Sequence, residues 1–200
     1  SAMAQDLHAS LSDFEPLIGH WEVEGEWTMG GTIAANAEYI PTLGGRMLVA
    51  PTFVSDNGQP MYERYWSVMR VLESGELEAT HFGYDGNVNT VVHTPTETEA
   101  GLALDATWEM QSPMGAATID ERLVVAEDAC PWTVKITPAG MSEPIGWLVA
   151  EWTRTDAFDR PAERPDAIAH QVLKPMERLI GTLTNDPDWS GGSTLDATNH

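Results

Sequence analysis

Residues 21–27 read Trp-Glu-Val-Glu-Gly-Glu-Trp. Successive side chains on a β-strand point to opposite faces. Trp21, Val23, Gly25 and Trp27 therefore share one face, and Glu22, Glu24 and Glu26 share the other. The first face belongs in a core and the second in water, which is the pattern of a half-buried antiparallel strand.

Similar segments follow at short intervals. "TIAANAEYIPTL" and "RMLVAPTFVS" flank Gly44-Gly45, "MYERYWSVMRVL" and "ELEATHFGY" flank Ser74-Gly75, and "NVNTVVHTPTETEA" follows Asp85-Gly86. "LALDATWEM", "ATIDERLVV", "WTVKITPA" and "IGWLVAEWTRT" complete the series. That makes about ten strands separated by turn residues. The expected fold is all-β, an antiparallel up-and-down barrel with short sequential connections.

Helical signals lie only at the two ends. Ser12 with Glu15 matches a capping box, and Leu11, Phe14, Leu17 and Ile18 form a short apolar stripe stopped by Gly19. After Asp156 the Pro-rich "DAFDRPAERPDA" reads as a linker. Ile168, Val172, Leu173, Met176, Leu179, Ile180 and Leu183 then fall at helical spacing, with Pro175 as a kink. The tail "NDPDWSGGSTLDATNH" reads as irregular. The expected organisation is an arm over 1–10, a barrel domain over 11–156, and a linker, helical extension and tail over 157–200. Ser1-Ala2-Met3 reads as a cloning remnant.

Thirty-one acidic residues against ten basic ones give a net charge of -21. Such a field repels phosphates and anionic lipid heads, so neither nucleic acid nor a membrane is an expected partner. No apolar run approaches the roughly 18 residues of a spanning helix, and no basic-then-apolar leader opens the chain. The expected location is cytoplasmic. The single cysteine, Cys130, allows no intrachain disulfide and no thiolate metal cluster. Phosphate loops, nucleophile elbows, His-Glu-x-x-His motifs and calcium-loop spacing do not occur.

The stretch "ATHFGYDGNVNTVVH" concentrates the polar candidates. If Asp85-Gly86 is a two-residue turn, His81 faces Thr90 and Glu78 faces His93. The two histidines then lie on opposite faces, His81 inside and His93 outside, which excludes a joint metal site. If Ser74-Gly75 is also a two-residue turn, His81 lies opposite Val68 and shares its face with Tyr62, Arg64, Trp66 and Arg70. A buried arginine needs a partner or an anionic ligand. Arg64, Trp66 and His81 thus form a candidate ligand wall, set against a core histidine and a structural arginine. Trp27 joins it, while Trp21, Trp108 and Trp147 are read as core and cavity wall. Glu151 is a candidate partner for Arg64 or a general base if the face of Trp147 and Val149 is internal. Arg46 either caps a barrel end or touches ligand.

"LIGHWEVEGEW", "LGGRMLV" and a strand meander closing on "WLVAEWTRT" together resemble an uncharacterised bacterial family of calycin-like, lipocalin-like β-barrels, over about residues 11–155. The resemblance implies a barrel around a small-molecule cavity and no particular reaction. A related group binds haem through a histidine near its last strand. "GWLVAEWTRT" has none, so no cofactor is expected.

The functional expectation is binding of a small hydrophobic or aromatic ligand, with an acidic group as an option, inside the barrel. The alternative is an enzyme of isomerase, cyclase or hydratase type with His81 as acid–base. A third reading is a scaffold, a homodimer built through the C-terminal helix.

Overall fold

The computed structural model describes residues 8–84, 86–112, 115–127, 129–156, 183–185 and 197–199. It divides into two units, 1–162 and 163–200.

Ten strands close the first unit into a barrel: β1 (Gly19–Trp27), β2 (Thr32–Thr42), β3 (Met47–Asp56), β4 (Tyr62–Val71), β5 (Leu77–Gly83), β6 (Val88–Thr98), β7 (Gly101–Ser112), β8 (Gly115–Val125), β9 (Ala129–Pro138) and β10 (Gly146–Thr155). Each strand pairs antiparallel with its neighbour in sequence, and β1 closes on β10 through Trp21–Arg154 to Trp27–Leu148. The fold is an antiparallel up-and-down barrel of ten strands with no free sheet edge. In β1 the alternation holds. Trp21 and Val23 are buried, Trp27 is half-buried at one mouth, and the three glutamates are exposed.

A 3-10 helix, Ala9–Leu17, precedes β1 and buries Leu11, Phe14 and Leu17. Their spacing of three residues suits a 3-10 turn, whose side chains repeat every third position. The capping box is not formed: His8 is the N-cap, and Ser12 Oγ donates to the Ala9 carbonyl. This helix plugs the barrel end formed by the start of β1 and the end of β10. Its side chains join Trp21, Leu48, Met69, Leu77, Ala79 and Cys130 in one fully buried cluster.

The plug is tied to the barrel by Arg154. Its guanidinium stacks on the Trp21 ring at 4.4 Å and donates to the carbonyls of Ile18, Pro16 and Glu127. Trp21 Nε1 donates to the Leu17 carbonyl at 2.8 Å. Gly19 has φ +123°, and a Cβ there would lie 2.7 Å from the arginine. The Gly-x-Trp pair is thus explained by its opposite strand.

In the second unit, β11 (Leu183–Asn185) and β12 (Ala197–Asn199) pair antiparallel. Part of the tail read as irregular is therefore a short ladder. The linker and the apolar stripe from Ile168 to Ile180 lie outside the described residues, as does the helix-mediated homodimer expected from them, while the last member of the expected helical stripe, Leu183, stands in β11 instead. No described helix is long and apolar enough to cross a membrane.

Candidate functional site

Two hairpin loops decide what faces the lumen. Gly75 N–H donates to the Leu72 carbonyl and Leu72 N–H to the Glu76 carbonyl, so this loop has three residues, not two. Gly86 N–H likewise donates to Gly83 and Gly83 N–H to Asn87. In both loops the glycine sits third with positive φ, +90° at Gly75 and +84° at Gly86. This is the three-residue hairpin with a left-handed glycine closing a bulge. Each loop shifts the expected register by one residue, and a one-residue shift exchanges the faces of a strand.

The consequences are opposite for the two neighbours of β5. Ser67, not Val68, pairs with His81, so Ser67, Met69 and Val71 face inward. Trp66 and Arg70 face outward: Trp66 is 41% exposed, and Arg70 pairs with Glu78. On β6, Leu77 pairs with His93, so His93 faces inward beside buried Val91. Val88 and Val92, which a two-residue turn at Asp85-Gly86 would have put on the face of His81, are exposed. The expectation for His81 holds, since it shares the face of Leu77 and Ala79. The argument that kept the two histidines apart does not hold. Even so, no group of three or more His, Cys, Asp or Glu among the described residues is arranged to hold a metal.

Arg64 lies in neither alternating series. Thr52 pairs with Tyr65 and Phe53 with Glu63, which leaves Arg64 as the extra residue of a bulge. Its guanidinium stays at the rim, bonded to Asp56 at 3.0 Å and to the Tyr62 hydroxyl at 2.6 Å, within 5.6 Å of the Tyr84 ring. Phenolic oxygens and the Asp56 charge hold its pKa above the ordinary value, against a burial effect that lowers it. It is therefore not a wall residue beside His81. Glu151, Trp147 and Val149 face outward and are exposed, so Glu151 meets neither Arg64 nor the lumen. Arg46 is exposed in the turn closed by its N–H on Thr42, at the plugged end. Of the expected set, only His81 and Trp27 face the lumen.

The lumen instead gathers groups that the strand pattern did not bring together. His81 Nδ1 lies 2.7 Å from Ser67 Oγ, and its ring meets Tyr65 edge-on at 5.6 Å. Burial pushes the His81 pKa below 6.5. Deeper in, His93 Nε2 bonds Glu121 Oε1 at 2.9 Å, each side chain 15% exposed. Thr94 pairs with Asp105 and Ala106 with Glu121, so the two side chains meet across the small Ala106. Glu121 is the hub: its charge also reaches Tyr39, Tyr65 and His81. Burial first, and charges such as Glu121 second, push Tyr65 up to about 12 and Tyr39 well above its ordinary value. Both phenols stay neutral.

Aromatic rings surround this ring of polar groups. Trp152 packs against Tyr39 and Trp132, each at 5.8 Å. Trp27, Tyr65, Trp108 and Trp132 are half-buried toward the open end. Asn89 is exposed although it shares the lumen face with His81, its pairing partner. The interior therefore reaches solvent on that side. Among the described residues, three buried side-chain atoms have no hydrogen-bond partner: His93 Nδ1, Trp108 Nε1 and Trp152 Nε1. All three residues face the lumen. An open depression of about 340 Å³, lined by Glu24, Glu26, Thr32, Ser55 and others, lies on the β1–β2 side and gathers no comparable set.

Glu121 was not among the expected site residues, yet its sequence context carries a signal. In "ATIDERLVV" it interrupts the inward series Ala117, Ile119, Leu123 and Val125.

No family model matches the chain, and no curated protein matches it. Among solved structures the chain is similar to the S-type phycobiliprotein lyase CPES from Guillardia theta, with 10% identity and a TM-score of 0.43. The match covers 72% of this chain and 92% of that one.

Proposed function

We propose that the barrel binds a small hydrophobic or aromatic molecule, seated on the polar ring around Glu121 and walled by Trp108, Trp132 and Trp152. The supporting observation is the set of buried, unpartnered nitrogens on one inner surface. Leaving a buried donor unpaired costs about 1–3 kcal/mol, so a native interior that keeps several has a reason to do so. The reasons for expecting an acidic ligand lapse with the outward shift of Arg64. The calycin-like membership suggested by "LIGHW" and "LGGR" is part of the same proposal.

The test uses N-phenyl-1-naphthylamine, a neutral probe whose emission rises in apolar surroundings. Saturable one-to-one binding is expected, and Ala106→Leu or Ala35→Leu, which fill the lumen, should abolish it while leaving the fold intact by circular dichroism. No saturable binding, or equal binding by both filled variants, contradicts the proposal.

A second reading is an enzyme of the isomerase, cyclase or hydratase type. What favours it is His81, kept neutral by burial and held by Ser67, the state a general base needs. Such a base would speed exchange of the methyl protons of 2-acetonaphthone in heavy water. His81→Phe should remove that exchange while probe binding persists. Exchange no faster than in buffer would eliminate the enzyme reading.

A further inference from the structure

We infer that the lumen selects an uncharged aromatic molecule carrying an oxygen acceptor, and rejects the corresponding carboxylate. This rests on the binding reading above and specifies the chemistry of its ligand.

The argument begins with charge. Among the described residues, no lysine or arginine supplies a free cation to the lumen. Arg70 and Arg122 are on the outside, in ion pairs with Glu78 and Asp105. Arg64 is held at the rim by Asp56, and Arg154 is spent on the carbonyls beneath the plug. The inner wall keeps a carboxylate, Glu121, whose partner His93 is a neighbour of the same wall. A ligand carboxylate placed here would give up its hydration and meet a like charge, with no guanidinium or ammonium in compensation. The field of a chain with net charge -21 acts in the same direction.

The second step concerns hydrogen bonding. An indole N–H is a donor only. Trp108 Nε1 and Trp152 Nε1 are buried and unpartnered, and each asks for an acceptor oxygen. A cation cannot supply one and would face both N–H dipoles with its positive end. The Glu121 carboxylate, which would welcome a cation, already accepts from His93 at 2.9 Å. With Nε2 bonded to Glu121, His93 leaves its buried Nδ1 unpartnered on the same wall. The wall therefore offers two indole donors, a pattern met by a carbonyl, ether or hydroxyl oxygen on an aromatic frame.

Shape agrees. Trp132 and Trp152 stand nearly perpendicular, at 82°, and Tyr65 and His81 make a second perpendicular pair, also at 82°. Such corners take a flat ring on one face and an edge on the other.

The experiment is a calorimetric titration of the full chain with four naphthalenes of one frame: 2-acetonaphthone, naphthalene, 2-naphthoate and 2-naphthylmethylammonium. The neutral ketone is expected to bind tightest. Naphthalene, without an acceptor, should bind about five- to tenfold more weakly. Naphthoate should be weaker than the ketone by at least about tenfold, and the ammonium ion should not exceed the ketone. Glu121→Gln keeps an oxygen acceptor for His93 but removes the charge. It should raise naphthoate affinity relative to that of the ketone about tenfold. Naphthoate or the ammonium ion binding as tightly as the ketone would overturn the selectivity while leaving the binding reading intact. Failure of all four to bind would overturn both. The four-ligand comparison in the unaltered protein stands even if the variant does not fold.

Discussion

The two ends of this barrel use aromatic side chains in different ways. At the plugged end Trp21 is 0% exposed, its N–H is bonded to Leu17, and its ring is covered by Arg154. Deeper in the lumen and toward the mouth, Trp108 and Trp152 have buried N–H groups without partners, and Trp27 and Trp132 are half-buried. One end is satisfied and closed. The other holds polar capacity in reserve, and that contrast separates a structural core from the surface proposed to meet a ligand.

The contrast predicts a graded set of responses. Trp21→Ala should have the largest effect, about 3–5 kcal/mol of unfolding free energy, because it opens a fully packed site and strips Arg154 of its platform. Trp66→Ala, on the outer face, should stay within about 0.5 kcal/mol. Denaturant titration checks both, and equal losses would erase the distinction. Gly19→Ala should cost about 1–3 kcal/mol, since the residue has φ +123° and its Cβ would meet the Arg154 guanidinium.

Smaller effects should come from pH, through groups of the polar ring. Burial holds the folded His81 below 6.5, so the unfolded chain takes up its proton first as pH falls. Stability should decline as pH drops through about 6.5 and gain nothing from this group above it. His81→Phe should flatten that acid limb. Tyr65 gives the opposite case. With its folded pKa pushed from 10.0 to about 12, stability should fall as pH rises through that window, and Tyr65→Phe should remove the loss. Melting curves across pH measure both limbs, and a wild type whose limbs match those of the two variants would show that neither group is buried as described.

The plugged end was legible in the sequence because its signals are local. Strict alternation in "WEVEGEW" and three apolar residues at spacing three need no knowledge of a partner strand. The polar ring depends on how strands pair. The Ser74-Gly75 and Asp85-Gly86 pairs correctly mark hairpins, but nothing in either pair tells whether its glycine closes a two-residue loop or a three-residue one. The difference of one residue moved Trp66 out and His93 in. Arg64 departs from its expected place for a related reason, because a bulge suspends alternation where it occurs. Arg154 and Glu121 act on residues far away along the chain, so their roles emerge only when the barrel closes.

The central claim is that the reserve of unpaired N–H groups in the lumen is the ligand's seat. The chain has eight tryptophans, so its indole N–H resonances form a small, resolvable set in a ¹⁵N correlation spectrum. On titration with 2-acetonaphthone, the Trp108 and Trp152 indole protons should move downfield as they acquire an acceptor, while those of Trp21, Trp66 and Trp147 stay in place. Shifts confined to Trp66 and Trp147, or a saturated complex that leaves Trp108 and Trp152 unmoved, would contradict the account.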